Sequence, residues 1–217
     1  WKPKMKWFIE NLKTLFYALI IAVIIRSLLI QPFYIPSSSM EPNLLVGDRL
    51  FVTKLSYGYS RHSFPFSPPI FDGRILNSKP SRGDIIVFKT PADNRTDYIK
   101  RLVGLPGDVI QFIDGEIYLN NNQIFRTVIS KSDQLYCGPQ KIEVITYEEK
   151  LPNGKNYLAS YRKDYTFMNS EKYIVPENHF FFLGDNRDCS KDSRFLDEVG
   201  YVHQNNLVGK AQFLFFS

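Results

Sequence analysis

The stretch VIQFIDGEIYL, residues 109–119, decides the fold class. A short apolar run ends at Ile113, Asp114-Gly115 follows, and apolar positions resume at Ile117 and Leu119. Asp-Gly tolerates the positive φ that a two-residue hairpin turn demands, so the stretch reads as strand, turn, strand. Asn153-Gly154 repeats the device between 142–151 and 157–162. Further out, β-branched and aromatic residues cluster at 50–55, 84–89, 98–105, 179–183 and 208–216, with turn chemistry between them. Helical periodicity is almost absent past Pro36, and an all-β domain is expected. Leu105-Pro106-Gly107-Asp108 reads as a turn, since Pro then Gly suits the centre of type II. Between 56 and 81, Pro65, Pro68 and Pro69 forbid regular ladder pairing and predict a long surface loop or an edge hairpin.

Before this domain the chain is different. From Thr14 it runs TLFYALIIAVII, passes Arg26 and Ser27, and resumes as Leu28, Leu29 and Ile30. A buried helix of a soluble domain is one reading, because the uninterrupted part is shorter than the ~20 apolar residues that usually span a bilayer. Trp7 and Phe8 extend the apolar stretch inward and Arg26 can snorkel to an interface, so a single N-terminal transmembrane helix is the preferred one. Lys2, Lys4, Lys6 and Lys13 on its N-terminal flank predict that this end stays cytoplasmic and that everything after Ile30 faces outward. Small residues of an A-x-A cleavage site do not follow the apolar run, so a retained anchor is expected rather than a cleaved signal. The sequence opens at Trp1, which leaves room for residues upstream.

Charge and cysteine content narrow the partners. Of 27 basic residues, five lie in the first 30 positions against Glu10 alone, leaving 22 basic and 21 acidic residues for the rest. No basic run could track a phosphate backbone there, and nucleic acid is not expected as a partner. Cys137 and Cys189 show no metal-ligand spacing. Free thiols and a disulfide both remain open, because pairing requires a Cα separation that spacing does not give. His62, His179 and His203 lie far apart, and DNRDCSKDS at 185–193 lacks the Gly and Glu of a calcium loop. No metal or other cofactor is expected.

Chemistry is concentrated in two places. In Ile35-Pro36-Ser37-Ser38-Ser39-Met40-Glu41-Pro42, two prolines fix the backbone on either side of three hydroxyls. Taken alone, this is ordinary solvated linker. A serine nucleophile needs a base, and no histidine has the context of one. Lys100, in DYIKRLVG at 97–104, shares a strand face with Tyr98 and Leu102. A lysine removed from water loses its proton more readily and can accept one from serine; a solvated lysine would do neither.

Four separated motifs now fall in one order: PSSSMEPNLLVGDRLFV at 36–52, RGDIIVF at 82–88, YIKRLVGLPGD at 98–108 and GDNRDCSKDSR at 184–194. Together they resemble the bacterial type I signal peptidases, membrane-bound enzymes with a Ser/Lys dyad. The resemblance implies a β-sheet domain with an inserted second β-lobe, here at 109–176, and a catalytic core at 31–108 and 177–217, beyond a short cytoplasmic segment and anchor at 1–30. It implies Ser39 as nucleophile and Lys100 as general base. The backbone N–H of Ser39 and the hydroxyl of Ser37 would form the oxyanion hole. Ser190 would orient the amine, and Asp192 with Arg194 would steady its loop. Phe33, Ile35, Met40, Leu44, Val87, Tyr98 and Ile99 would line shallow apolar clefts that admit only small side chains. An extended substrate would pair its backbone with nearby strand edges.

The expected partners are precursor proteins bearing signal peptides, cut after A-x-A-like sites, and membrane lipid. The expected location is the inner (plasma) membrane, single-pass, with the catalytic domain on the outer face. The sequence departs from the family pattern at Ser38, where glycine is common, at Cys189 for asparagine, at His203 for proline and over 195–199. A catalytically idle, membrane-anchored β-domain that binds exported proteins is the competing reading. A binding module has no need of an amine beside a hydroxyl.

Overall fold

The computed structural model describes residues 2–64, 67–69, 72–76 and 78–217. Its first element, α1 (Lys2–Leu28), is a helix of 27 residues. It begins well before the apolar run at Thr14 because Met5, Trp7, Phe8, Ile9 and Leu12 carry the apolar character toward the N-terminus. The segment Met5–Arg26 is long and apolar enough to cross a membrane. Its side chains from Met5 to Arg26 are exposed, which is not the environment of a core helix.

Fourteen strands follow among the described residues: β1 (Ile30–Tyr34), β2 (Arg49–Thr53), β3 (Ile85–Lys89), β4 (Asp97–Gly104), β5 (Val109–Ile113), β6 (Glu116–Leu119), β7 (Asn122–Gln123), β8 (Phe125–Cys137), β9 (Gln140–Lys150), β10 (Asn156–Arg162), β11 (Tyr173–Ile174), β12 (His179–Leu183), β13 (Val202–His203) and β14 (Leu207–Phe216). The described residues are therefore mostly β, with one α-helix. A seven-stranded sheet has the order β1-β2-β14-β3-β4-β12-β13, a three-stranded one β10-β9-β8, and a four-stranded one β11-β5-β6-β7. Strands from residues 30–104 and 179–216 make the large sheet, and those from 109–174 make the two smaller ones. The sheets share apolar packing: Val103, Phe181 and Leu183 of the large sheet lie in one buried cluster with Ile110, Phe112, Ile117 and Tyr161. Removing that cluster from water is the main term holding the smaller sheets against the larger one.

Both expected hairpins are present. β5 meets β6 with Ile113 opposite Glu116 across Asp114 (φ 51°) and Gly115 (φ 76°), the two positive values of a type I′ turn. β9 meets β10 with Lys150 opposite Asn156 around Gly154. Five strands were not expected: the two-residue β7, β11 and β13, and the longer β1 and β8. β1 contains Pro32, which is tolerated because β1 is an edge strand paired only to β2. β8 is the outer strand of its sheet, mostly exposed, and its register against β9 shifts twice near Lys131-Ser132-Asp133, so no clean alternation marks it. The Pro-rich segment contains an isolated antiparallel bridge between Tyr59 and Ile75; Pro65 lies outside the described residues. Cys137, at the end of β8, forms a disulfide with Cys189 in the loop after β12, with Cα atoms 5.3 Å apart.

Candidate active site

Lys100 stands opposite Ile86 of β3. Its side chain points to the face that also carries Tyr98, and its Nζ lies 5.4 Å from the centre of that ring. Just past β1 the backbone closes a 3₁₀ turn, Ser38–Met40, in which all three residues are buried. The turn delivers Ser39 to the lysine across 61 residues of sequence: Lys100 Nζ donates to Ser39 Oγ at 2.5 Å. Lys100 is 4% exposed and Ser39 5%. Burial lowers the amine from the usual lysine range to about 8, with Asp192 and Asp185 pulling it up and Arg194 pushing it further down. The neutral amine is thus accessible near physiological pH, and it sits within hydrogen-bond reach of the hydroxyl it would deprotonate.

Ser37 is exposed, with its hydroxyl 3.4 Å from Ser39 Oγ. Ser38, where glycine would be common, has no positive φ, so serine fits without strain. Ser190 is buried nearby. Its hydroxyl forms no hydrogen bond among the described residues, so the bond to the amine expected from sequence is not made in this arrangement. Proximity still lets that hydroxyl help hold Asp192 ionised. Asp192 and Arg194 form a two-point ion pair, Nε to Oδ1 at 2.8 Å and Nη2 to Oδ2 at 3.0 Å. Burial raises the Asp192 carboxyl, but Arg194 and the N–H of Gly184 outweigh it and hold the group below the usual carboxylate range.

The apolar candidates divide between two places. Phe33, Ile35, Met40, Leu44, Val87 and Ile99 pack in one cluster. Tyr98 packs against another, containing Ile86, Phe88 and Leu102, because it lies on the opposite face of β4 from Ile99. Phe33 and Tyr98 keep partial exposure, and the others are buried.

Several residues that matter to the geometry were quoted in the motifs without a role. Arg101, next to Lys100, pairs through Nε and Nη2 with the two oxygens of Asp185, each at 2.7 Å, and Asn43 donates to the same carboxylate at 2.8 Å. Asn186 donates from its backbone to the Ser39 carbonyl and from Nδ2 to the carbonyls of Ser38 and Tyr136, all at 3.1 Å. Arg187, fully buried, grips Glu149 of β9 at 2.9 and 2.7 Å, and its Nη2 also donates to the Tyr157 hydroxyl at 2.8 Å. Glu149 also accepts from Tyr157 and Tyr161. The loop after β12 is thereby fastened to β4, to the Ser39 turn and to the three-stranded sheet at once. The density of polar residues at 184–194 was the available signal, but the partner Glu149 had none.

Comparison with known proteins adds an independent line. The family described as signal peptidase, peptidase S26, matches residues 8–216. Signal peptidase I of Rickettsia typhi (strain Wilmington) is 44% identical over 211 residues, covering 93% of this chain and 77% of the relative. Signal peptidase I of Rickettsia canadensis (strain McKiel) is 43% identical over 218 residues, covering 96% and 80%. A crystal structure of a signal peptidase I from Enterococcus faecalis V583 is 27% identical, covers 62% of this chain and 98% of that chain, and aligns with a TM-score of 0.38.

Proposed function

This chain belongs to the signal peptidase family, peptidase S26, serine peptidases that remove signal peptides from precursor proteins, and from that premise we propose that Ser39 is its nucleophile and Lys100 its general base. The observation that carries the reading is the buried amine 2.5 Å from the serine hydroxyl. A neutral Lys100 takes the proton of Ser39 as Oγ attacks the carbonyl carbon of the scissile bond. Negative charge on the carbonyl oxygen is stabilised by the N–H of Ser39 and the hydroxyl of Ser37. Lys100, now an ammonium, gives its proton to the leaving amine. Water, deprotonated by the same amine, then releases the acyl group and restores Ser39. Asp192 and Arg194 steady the loop of Ser190, whose hydroxyl can turn toward Lys100.

Phe33, Ile35, Met40, Leu44, Val87 and Ile99, which pack in one cluster, are assigned to the place where the residues before the cut would lie, with Tyr98 beside Lys100 on the other face of β4. Side chains this bulky leave room for little more than a methyl group, which favours A-x-A-like sites. α1 anchors the enzyme once in the inner membrane with its N-terminus cytoplasmic, as exposed Lys6 and Lys13 favour. The division into a core at 31–108 and 177–217 and an inserted lobe at 109–176 follows the sheet membership of the strands.

The test is cleavage of a synthetic precursor peptide with an A-x-A site by the purified full chain in detergent. Wild type should cut after the second alanine, and Ser39→Ala and Lys100→Ala should each be inactive while remaining folded. Normal cutting by Lys100→Ala would remove lysine from the mechanism.

A further inference from the structure

A cavity of about 890 Å³ lies where the outer end of α1 meets the seven-stranded sheet; Phe33 lines it, and neither Ser39 nor Lys100 does. Val23 and Arg26 of α1 line it, together with Lys54, Arg61, Lys89 and Arg95 of the domain. Lys54 is 2% exposed, and its Nζ donates to the carbonyl oxygen of Ser63. Among the described residues it has no carboxylate within ion-pair distance. An ammonium carries three donors, and burying it beside one neutral acceptor leaves it under-satisfied. Burial, and then Arg26, lowers it only to about 8, so it stays largely charged at neutral pH.

No carboxylate among the described residues pairs directly with Lys54, and Asp97 supports its charge only from a distance. Asp97 is occupied by Lys89 at 2.9 Å. Asp93 accepts from the Thr96 hydroxyl and from the N–H groups of Arg95 and Thr96. His62, lowered to about 4 by burial and then by Arg61, is neutral and accepts from Arg61 through Nε2. Arg26 and Arg61 make no ion pair among the described residues. The cavity therefore presents a fixed cation flanked by two unpaired guanidiniums, a donor set matched to an anion with several oxygens.

Its position selects among such anions. Arg26 sits in the last turn of α1, and exposed Leu29 and Ile30 follow directly. If α1 spans the bilayer, this puts the cavity at headgroup depth, with the apolar face of the helix running from it into the acyl layer. We propose that the cavity binds the phosphate of an anionic membrane phospholipid, with Lys54, Arg26 and Arg61 as its donors and the acyl chains lying along α1. The proposal rests on the reading of α1 as an anchor.

The experiment is native mass spectrometry of the full chain released from detergent with phosphatidylglycerol, with diacylglycerol, which lacks the phosphate, or with inorganic phosphate. One phosphatidylglycerol should be retained per chain, at least tenfold tighter than diacylglycerol. Arg26→Gln with Arg61→Gln should weaken it by about 30-fold, at the level of one near-surface charge each, without changing peptide cleavage in lipid-free detergent. Lys54→Met should weaken it further; should that variant not fold, the double variant carries the test. Equal retention of phosphatidylglycerol and diacylglycerol, or an unaffected double variant, would overturn the proposal. Inorganic phosphate bound as tightly as the lipid would overturn the assignment to a membrane lipid. Flotation with vesicles separates the two readings: a chain that floats without headgroup preference refutes this site alone, and one that does not float refutes the anchor.

Discussion

A methyl group added at Gly184 would stand 2.1 Å from Oγ of Ser190 and 2.6 Å from the carbonyl oxygen of Ser39. Turning the Ser190 hydroxyl away gives no relief, because Cβ of Ser190 would stand 2.3 Å off, in a loop held by Arg187 and Arg194, and the Ser39 carbonyl lies in a buried 3₁₀ turn. Gly184→Ala must therefore push apart the Ser190 loop and the Ser39 turn. A displacement near 1 Å between catalytic groups costs about 100-fold in rate. We expect kcat/KM on a precursor peptide to fall by about that factor. Wild-type activity in Gly184→Ala would mean that the working enzyme does not hold Ser190 and Ser39 this close.

The pH–rate profile should report the buried amine. With Lys100 lowered to about 8, kcat/KM should climb through neutral pH and level off above that value. Asp192 raises the Lys100 amine, so Asp192→Asn removes that support and leaves the opposing Arg194 in place. The acid limb should then move to lower pH, at some loss of stability. A limb that stayed put or moved upward would separate the profile from Lys100.

The same shift has a stability consequence of definite sign. Lys100 titrates near 8 when folded and at the ordinary 10.5 when unfolded. Below pH 8 both states carry the proton and the folded state bears the whole cost of burying it. Between 8 and 10.5 only the unfolded state keeps the proton, so stability rises with pH, and above that window the cost is gone. Lys100→Met should raise the melting temperature at pH 6, by up to about 3 kcal/mol of stability, and lose that advantage by pH 10.5. Melts at the two pH values decide it; a variant less stable than wild type at pH 6 contradicts a costly amine.

The parts legible in the sequence were those in which local pattern and tertiary environment agree. Asp114-Gly115 announces its hairpin, and HFFFL becomes β12, with Phe180 to Leu183 buried. β8 escaped because an exposed edge strand with shifting register has no period for side chains to follow. β1 escaped because Pro32 argues against a strand everywhere except at an edge. At the site, Ser39 and Lys100 could be named from their motifs, whereas the Arg187–Glu149 pair joins positions 38 residues apart and neither partner announces the other. The clefts were legible as residue types but not as faces: alternation along β4 separates Tyr98 from Ile99, and the motif alone does not show it.

The disulfide makes a prediction that reaches the site. Cys189 immediately precedes Ser190, and Cys137 ends the strand whose Tyr136 accepts from Asn186 and donates to Glu41. Closing a loop across a separation of 52 residues removes about 4 kcal/mol of unfolded-state entropy, in the chain-entropy account. Cys137→Ser and Cys189→Ser should therefore each lower the melting temperature by several degrees. The hydrogen bonds of Asn186 survive in both variants, so Ser190 should loosen rather than depart, and kcat/KM should fall only a few-fold. Dithiothreitol should produce the same loss in wild type and no further loss in either variant. Indifference of the wild type to reductant, with the thiols shown to be free, would mean that this bond does not support the loop.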